Sequence, residues 1–224
     1  MSYKTETHLH NAESSNCAVI KAEEGVELHK RAGYKTIIFT NHYSHHEFSK
    51  IDSNDFDIKI NHLLEGYHIA KKLEKENDMN ILYGIEVTLL ETKSDYLIYG
   101  IDEKFLRENK YLYELSLAEL YELCVANKFL LIQAHPFRDN MQLAPPNLIM
   151  GMEVYNGCPF HKPHARNELA EKYAVDNKLY RTSGSDFHRI EDLATGGIIT
   201  ENEIKTIDDF INVIKSNNFE IITN

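Results

Sequence analysis

The sequence predicts an α/β fold whose parallel strands close, or nearly close, into one barrel. Two observations predict it. Strand-like and helix-like segments alternate along 224 residues with short turns and no low-complexity linker. Repeated β-then-α order of this kind implies parallel strands joined by right-handed crossovers. Potential metal ligands also stand at the ends of strands far apart in the chain, from His8 and His10 to Asp186 and His188. Closure brings such groups together, and barrels of this type gather reactive groups at the carboxyl ends of their strands.

Residues 5–10 read as the first strand. A helical stretch over 18–32 is stopped by Gly33, the residue favoured just past a helix end. Residues 35–40 (KTIIFT) are short and β-branched, a second strand. Residues 57–77 form a long helix, with Ile60, Leu63, Leu64 and Tyr67 on one face at helical spacing. Residues 80–87 (NILYGIEV) and 96–101 (YLIYGI) are the third and fourth strands. Ser116 and Glu119 form a capping box that opens a helix to about residue 127. The continuous apolar run 129–134 (FLLIQA) suits a strand buried on both faces. Further strands at 151–155 and 179–183 flank a helix over 165–177. The last third adds a strand at 197–199, a helix at 207–215 and a terminal strand at 219–223.

With 42% hydrophobic residues the chain can bury a substantial core, and one domain over residues 1–224 is expected. No apolar stretch approaches the roughly 20 residues that span a bilayer. The N-terminal residues lack the apolar core of a signal peptide, and three scattered cysteines (Cys17, Cys124, Cys158) form no CxxC pair. A cytoplasmic protein with reduced thiols and no membrane partner is therefore expected. The net charge of -11, with no Lys/Arg stripe, counts against long nucleic acid as a partner. It leaves a small anionic substrate open, because bound cations reverse the local field.

Twelve histidines matter here because several fall at strand ends. His8 and His10 are two apart on a strand, so both point to one face. Asp186 and His188 repeat that spacing after Gly184-Ser185. Taken alone, either pair could be a packed histidine pair or an Asp-capped loop. Glu86 lies inside an apolar strand, where a carboxylate needs a buried Lys or Arg or a bridging metal. His135 follows FLLIQA and precedes Pro136, and His42 follows the second strand by two residues. Together these residues point to a site of several metals. Mixed imidazole and carboxylate donors suit Zn, Mn or Fe rather than Ca or a thiolate-bound metal.

In order along nearly the whole chain stand ETHLH, GYKTIIFTNH, GIEV, DYLIYGI, AHPFR, EVYNG, SGSDFH and ATGGI. This series resembles the motifs of the PHP (polymerase and histidinol phosphatase) family. The resemblance implies a distorted (β/α)7 barrel, two or three divalent metal ions, and phosphoesterase chemistry, most often hydrolysis of a small phosphomonoester. By position, it implies that His8 and His10 hold a first metal with Asp186, and that Glu86 bridges the first two metals. It gives His135 to the second metal and His42 with His188 to a third. Three places depart from the commonest family pattern. Asn41 replaces an aspartate just before the ligand His42. Asp95 stands where many members have histidine, which bears on affinity and metal preference at the second position. The stretch 11–17 lacks a histidine that some members use for the third metal; Glu13 is the candidate replacement, with Asn16 next.

Arginine matches phosphate oxygens bidentately, and Arg138 and Arg189 each lie within three residues of an expected ligand. Arg166, His161 and Lys162 are further basic residues near these motifs. His29, His62 and His68 fall in helices as surface or packing residues, and His45, His46 and His164 carry no assignment. The expected reaction is attack on phosphorus by a metal-bridging hydroxide. Glu86 and Asp186 hold the metals, while Arg138 and Arg189 neutralise charge in the transition state. Protein-tyrosine phosphatase action, a nucleotide phosphoesterase or exonuclease, and a non-catalytic metal-binding domain are the other readings of the same residues. Histidinol phosphate is the substrate behind the family name, although the chain is short for the usual biosynthetic enzyme.

Overall fold

Apolar and β-branched runs become the strands, as their composition requires. In the computed structural model, which describes residues 2–160 and 166–223, these are β1 (Tyr3–Leu9), β2 (Tyr34–Phe39), β3 (His42–Tyr43), β4 (Asn80–Thr88) and β5 (Asp95–Tyr99). They continue with β6 (Leu130–Gln133), β7 (Gly151–Asn156), β8 (Tyr180–Gly184), β9 (Ile198–Thr200) and β10 (Glu220–Ile221). Among the described residues one sheet runs β10-β9-β1-β2-β4-β5-β6-β7-β8, with β3 paired on β4. The result is the predicted α/β barrel, nearly closed and distorted.

Closure is made just past β8. Leu9 bridges Phe187 in parallel register. Phe187 donates its backbone N–H to His8 O (3.1 Å), and His10 donates to Phe187 O (3.0 Å). Glu6 staples the seam from β1, its Oε1 accepting from the backbone of His8 (3.0 Å) and of Ser185 (3.0 Å). Gly184 permits the close approach, since a Cβ there would stand 2.4 Å from His8 Cβ.

The sheet is not all parallel, contrary to the reading from element order. β5 runs antiparallel to both β4 and β6, and β9 runs antiparallel to β1 and β10. The link 89–94 between β4 and β5 is too short for a crossover and can only make a hairpin. The reversal has a chemical consequence. Asp95 pairs with Thr88, so the start of β5 lies at the same end of the barrel as the carboxyl ends of its neighbours.

Helices pack outside through their apolar faces. Phe56–Lys72 buries Phe56, Ile60, Leu63 and Leu64. The prediction runs that helix to residue 77; the chain instead breaks at Leu73 and adds one turn, Glu74–Asn77. Glu74 explains the break, because its Oε1 accepts from the backbone of Ile81 (2.9 Å) and ties that turn to β4. The helix Leu117–Asn127 opens with the predicted Ser116/Glu119 capping box. Ile207–Ser216 buries Phe210, Ile211 and Ile214, each worth about 1.5–3 kcal/mol of apolar burial, and Phe210 meets the Tyr99 ring edge-on at 4.7 Å.

Candidate metal centre

At the carboxyl end of the barrel the strand-end side chains converge. His8 reaches inward from β1 and His10 from the residue just after it, Glu86 from β4, His135 from the turn after β6, and Asp186 from the turn after β8. All five are buried. His8 Nε2 lies 3.1 Å from His10 Nε2, 3.3 Å from Glu86 Oε1 and 3.4 Å from Asp186 Oδ1. His10 Nε2 lies 3.4 Å from Asp186 Oδ1 and 3.5 Å from Glu86 Oε2. Donors sharing one tetrahedral zinc with bonds of roughly 2.0–2.1 Å stand about 3.3 Å apart. The four groups are thus spaced as ligands of one ion.

Glu86 faces two ways. Its Oε1 lies 3.1 Å from His135 Nε2, beside Asp95 Oδ2, which is 3.8 Å from the same nitrogen. Its Oε2 lies 2.7 Å from His42 Nδ1, yet it is buried without a hydrogen-bond partner. A buried carboxylate oxygen left unpaired is costly. The carboxylate oxygen and the imidazole nitrogen face each other as two groups do around a shared proton or cation. Four donor triads come together in this way: His8/His10/Glu86, His8/His135/Asp186, Glu86/Asp95/His135 and His10/His42/His188. This donor set fits divalent metals of the zinc, manganese and iron kind.

A second layer holds the donors. His8 Nδ1 donates to Glu153 Oε1 (2.9 Å), which turns the Nε2 lone pair toward the cluster. Glu153 Oε2 accepts from the His135 backbone and from Asn156 Nδ2, both at 2.9 Å. His188 Nδ1 donates to Asp186 O (2.7 Å), which frees its Nε2 in the same way. The backbone is strained where two donors sit: His135 has φ 27° and Asp186 φ 53°. Left-handed backbone at non-glycine residues costs on the order of 1–3 kcal/mol and gathers at functional sites.

The charges depend on one another. Burial disfavours a charge on His8, but Glu153, Asp186 and Glu86 outweigh it and hold His8 well above its ordinary pKa. His42 is also raised well above its usual value, burial being overcome by Glu86. Burial, with the charges of His42 and His188, pushes His10 well below. Its ring is stacked at 4.3 Å on each of those two imidazoles. Glu86 and Asp186 stay well below the carboxylate range, because the nearby histidines overcome burial. Asp95 is raised by burial and then by Glu86. Without a metal, protons on imidazoles serve as the counter-ions of the carboxylates.

Not every residue singled out in the sequence arrives at the cluster. Glu13 turns away: its carboxylate caps the helix Ala22–Arg31 at the Ala22 N–H (3.0 Å) and accepts from Asn11 Nδ2 (2.8 Å). Asn16 is tied by Nδ2 to Glu47 (2.5 Å). Asn41 organises the loop after β1, donating to Asn11 Oδ1 (2.7 Å) and accepting from Ser15 Oγ (3.0 Å). Arg138 does reach the site, with Nη2 3.3 Å from Asp95 Oδ2 and Nη1 3.6 Å from Asp186 Oδ2. Arg189 stacks over Phe160 at 4.7 Å, and Arg166 pairs with Asp139 (2.7 Å). His29 is a buried packing residue, while His62 and His68 are partly exposed. His161, Lys162 and His164 lie outside the described residues.

Two residues escaped the sequence reading. Glu153 sits in an apolar strand as Glu86 does, and that shared signal could have found it. Cys17 lies with Sγ 3.1 Å from His188 Nε2. Burial works against its ionisation, but hydrogen bonds with His188 and His42 prevail and pull the thiol down to about 6. Cys17, His42, Asp95, His45, His46 and Lys50 line an open cavity of about 510 Å³ beside the cluster.

Comparison with known proteins agrees with this architecture. A family model described as PHP-associated matches residues 164–219. No curated protein matches the chain. The fold is similar to that of a two-domain protein from Bacteroides vulgatus containing a predicted PHP-like metal-dependent phosphoesterase. The TM-score is 0.71 at 13% identity, over 100% of this chain and 65% of that one, so the chain spans just under two thirds of that protein. PsfC from Pseudomonas syringae is similar over 100% of this chain and 92% of its own, with TM-score 0.68 and 16% identity. The lesion-specific endonuclease PfuEndoQ from Pyrococcus furiosus is similar over 99% of this chain and 58% of its own, with TM-score 0.62 and 14% identity. The chain thus has the fold of these structures along its whole length, and over residues 164–219 its sequence matches the PHP-associated family model.

Proposed function

We propose that the chain is a metal-dependent phosphoesterase that hydrolyses a small phosphomonoester in the manner of the histidinol phosphatases. The observation that carries this reading is Glu86, fully buried and facing His8 and His135 with one oxygen and His42 with the other. His8, His10 and Asp186 would hold one ion and His135 with Asp95 a second, Glu86 bridging the two. His42 and His188 would hold a third. When bound, such ions supply Lewis acidity and lower the pKa of water toward neutrality.

The chain's own groups do the rest. Arg138 sits between Asp95 and Asp186 with a planar fork suited to phosphate oxygens, and it can neutralise charge that grows on them. Arg189, three residues from Asp186, stacks over Phe160 instead, so the phosphate contact falls to Arg138. Glu153 holds His8 by its Nδ1, so that Nε2 is the nitrogen turned to the site. His45 and His46, on the cavity wall, can pass a proton to the leaving oxygen. A cavity of about 510 Å³ lies in the range of small-molecule sites, and a net charge of -11 disfavours a nucleic-acid duplex.

Hydrolysis of p-nitrophenyl phosphate by metal-free protein, with and without added Mn or Zn, tests the reading. Turnover that depends on added metal supports it. Stoichiometric metal binding without turnover on a panel of phosphomonoesters, phosphotyrosine peptides and nucleotides would leave a binding module instead.

A further inference from the structure

We infer that Cys17 is a thiolate ligand of the outer metal ion, in the place for which Glu13 and Asn16 were the candidates from sequence. The inference deepens the proposed function and rests on metal binding at this cluster. Cys17 Sγ stands 3.1 Å from His188 Nε2, and Cys17 also interacts with His42. His188 Nδ1 is engaged by Asp186 O at 2.7 Å, so Nε2 carries the lone pair that faces the sulfur. The single proton between Nε2 and Sγ therefore occupies the position a cation would take. Nitrogen and sulfur on one tetrahedral zinc stand roughly 3.5 Å apart for bonds of about 2.0 and 2.3 Å, close to the observed separation.

A second observation marks the same place. Glu86 Oε2 is buried, lacks a hydrogen bond of good geometry and lies 2.7 Å from His42 Nδ1, so a carboxylate oxygen points at the second imidazole with which Cys17 interacts. The loop that carries Cys17 is held in place. Ser15 Oγ donates to Asn41 (3.0 Å), and Asn16 is fixed to Glu47. Cys17, beside the outer triad His10/His42/His188, would add sulfur to its imidazoles, which favours zinc or ferrous iron over manganese at the outer position. Binding replaces the S–H proton, which leaves to solvent.

Metal-free full-length protein titrated with Co(II) tests this. The wild type should develop an intense near-ultraviolet sulfur-to-cobalt absorption that Cys17→Ser lacks, while both keep the visible bands of the inner ions. Elemental analysis should show Cys17→Ser holding the outer ion roughly tenfold or more weakly. Cys17 is the exposed cysteine, Cys124 and Cys158 being buried. Metal should therefore slow its alkylation by iodoacetamide at least about tenfold in the unmutated chain. Absence of the sulfur band in cobalt-loaded wild type, or an alkylation rate indifferent to metal, overturns the assignment. If the protein then still binds inner ions and hydrolyses phosphate esters, only the Cys17 assignment falls. Failure to bind cobalt at all would remove the proposed function with it.

Discussion

The inner and outer halves of the cluster are built from the same residue types but held differently. His8, His10, Glu86, His135 and Asp186 are at most 2% exposed and come from strands or the turns that end them. Behind them stands Glu153, on its own strand. The side chains of His42 and His188 are 21% and 16% exposed, and Cys17 is open to solvent on a loop. Water can satisfy the outer donors, whereas the inner carboxylates have only histidines and the edge of Arg138 as counter-charge. The inner donors therefore need cations to be stable, while the outer ones can exchange a cation for protons and water. Under the proposed metal binding, the inner ions would be held tightly and an outer ion would be more labile.

The largest effect should come from removing the bridge. Glu86→Gln should strip the inner ions and lower phosphoesterase turnover by more than about 100-fold, read by elemental analysis and p-nitrophenyl phosphate hydrolysis. Full occupancy in an active variant would end the bridging role. Next is Glu153→Gln, which keeps the shape but weakens the anchor of His8. Chelator competition should show inner-metal affinity reduced by about 10–100-fold, and unchanged affinity would make Glu153 a packing residue.

Arg138→Gln should raise KM and weaken inhibition by inorganic phosphate roughly tenfold at unchanged metal content, as for loss of a charged hydrogen bond. If metal content drops instead, Arg138 acts by holding Asp95 and Asp186. The smallest effect lies away from the metals. Burial lowers His29 from 6.5 to about 4. Between those values the unfolded chain binds a proton that the folded chain refuses. The contribution of His29 to stability should therefore fall by up to about 3 kcal/mol as pH drops from 6.5 to 4, and be fully present above 6.5, while Glu6, raised by burial to about 7, works in the opposite direction. His29→Gln should flatten that slope in urea unfolding against pH; an unchanged slope would assign the acid lability to other groups.

Much of the fold was legible because strand and helix periods are local properties. The apolar runs of β2, β4 and β6, and the spacing of Ile60, Leu63 and Leu64, each needed only a window of neighbours. The direction of β5 was also legible in principle from the short link 89–94, but the β-then-α rhythm masked it. The ligand pairs were visible because a spacing of two on a strand fixes a common face. Glu13 and Cys17 were not, since a loop has no period. Glu13 is drawn to the open N–H groups of the helix Ala22–Arg31, and the side-chain network of Asn11, Ser15 and Asn41 leaves the thiol beside His188.

The sequence by itself determined the elements, the strand ends that bear imidazole and carboxylate groups, and a resemblance that points to metal-dependent phosphoesterase chemistry. Only the tertiary structure decided which of those groups meet. Closure at Gly184 and Phe187 sets His8 against Asp186. The β4–β5 hairpin turns Asp95 to the mouth, and the pairing of β7 beside β8 sets Glu153 behind His8. The reason is physical: periodicity is written along the chain, whereas distance between side chains is set by how strands close and which loop hydrogen bonds win.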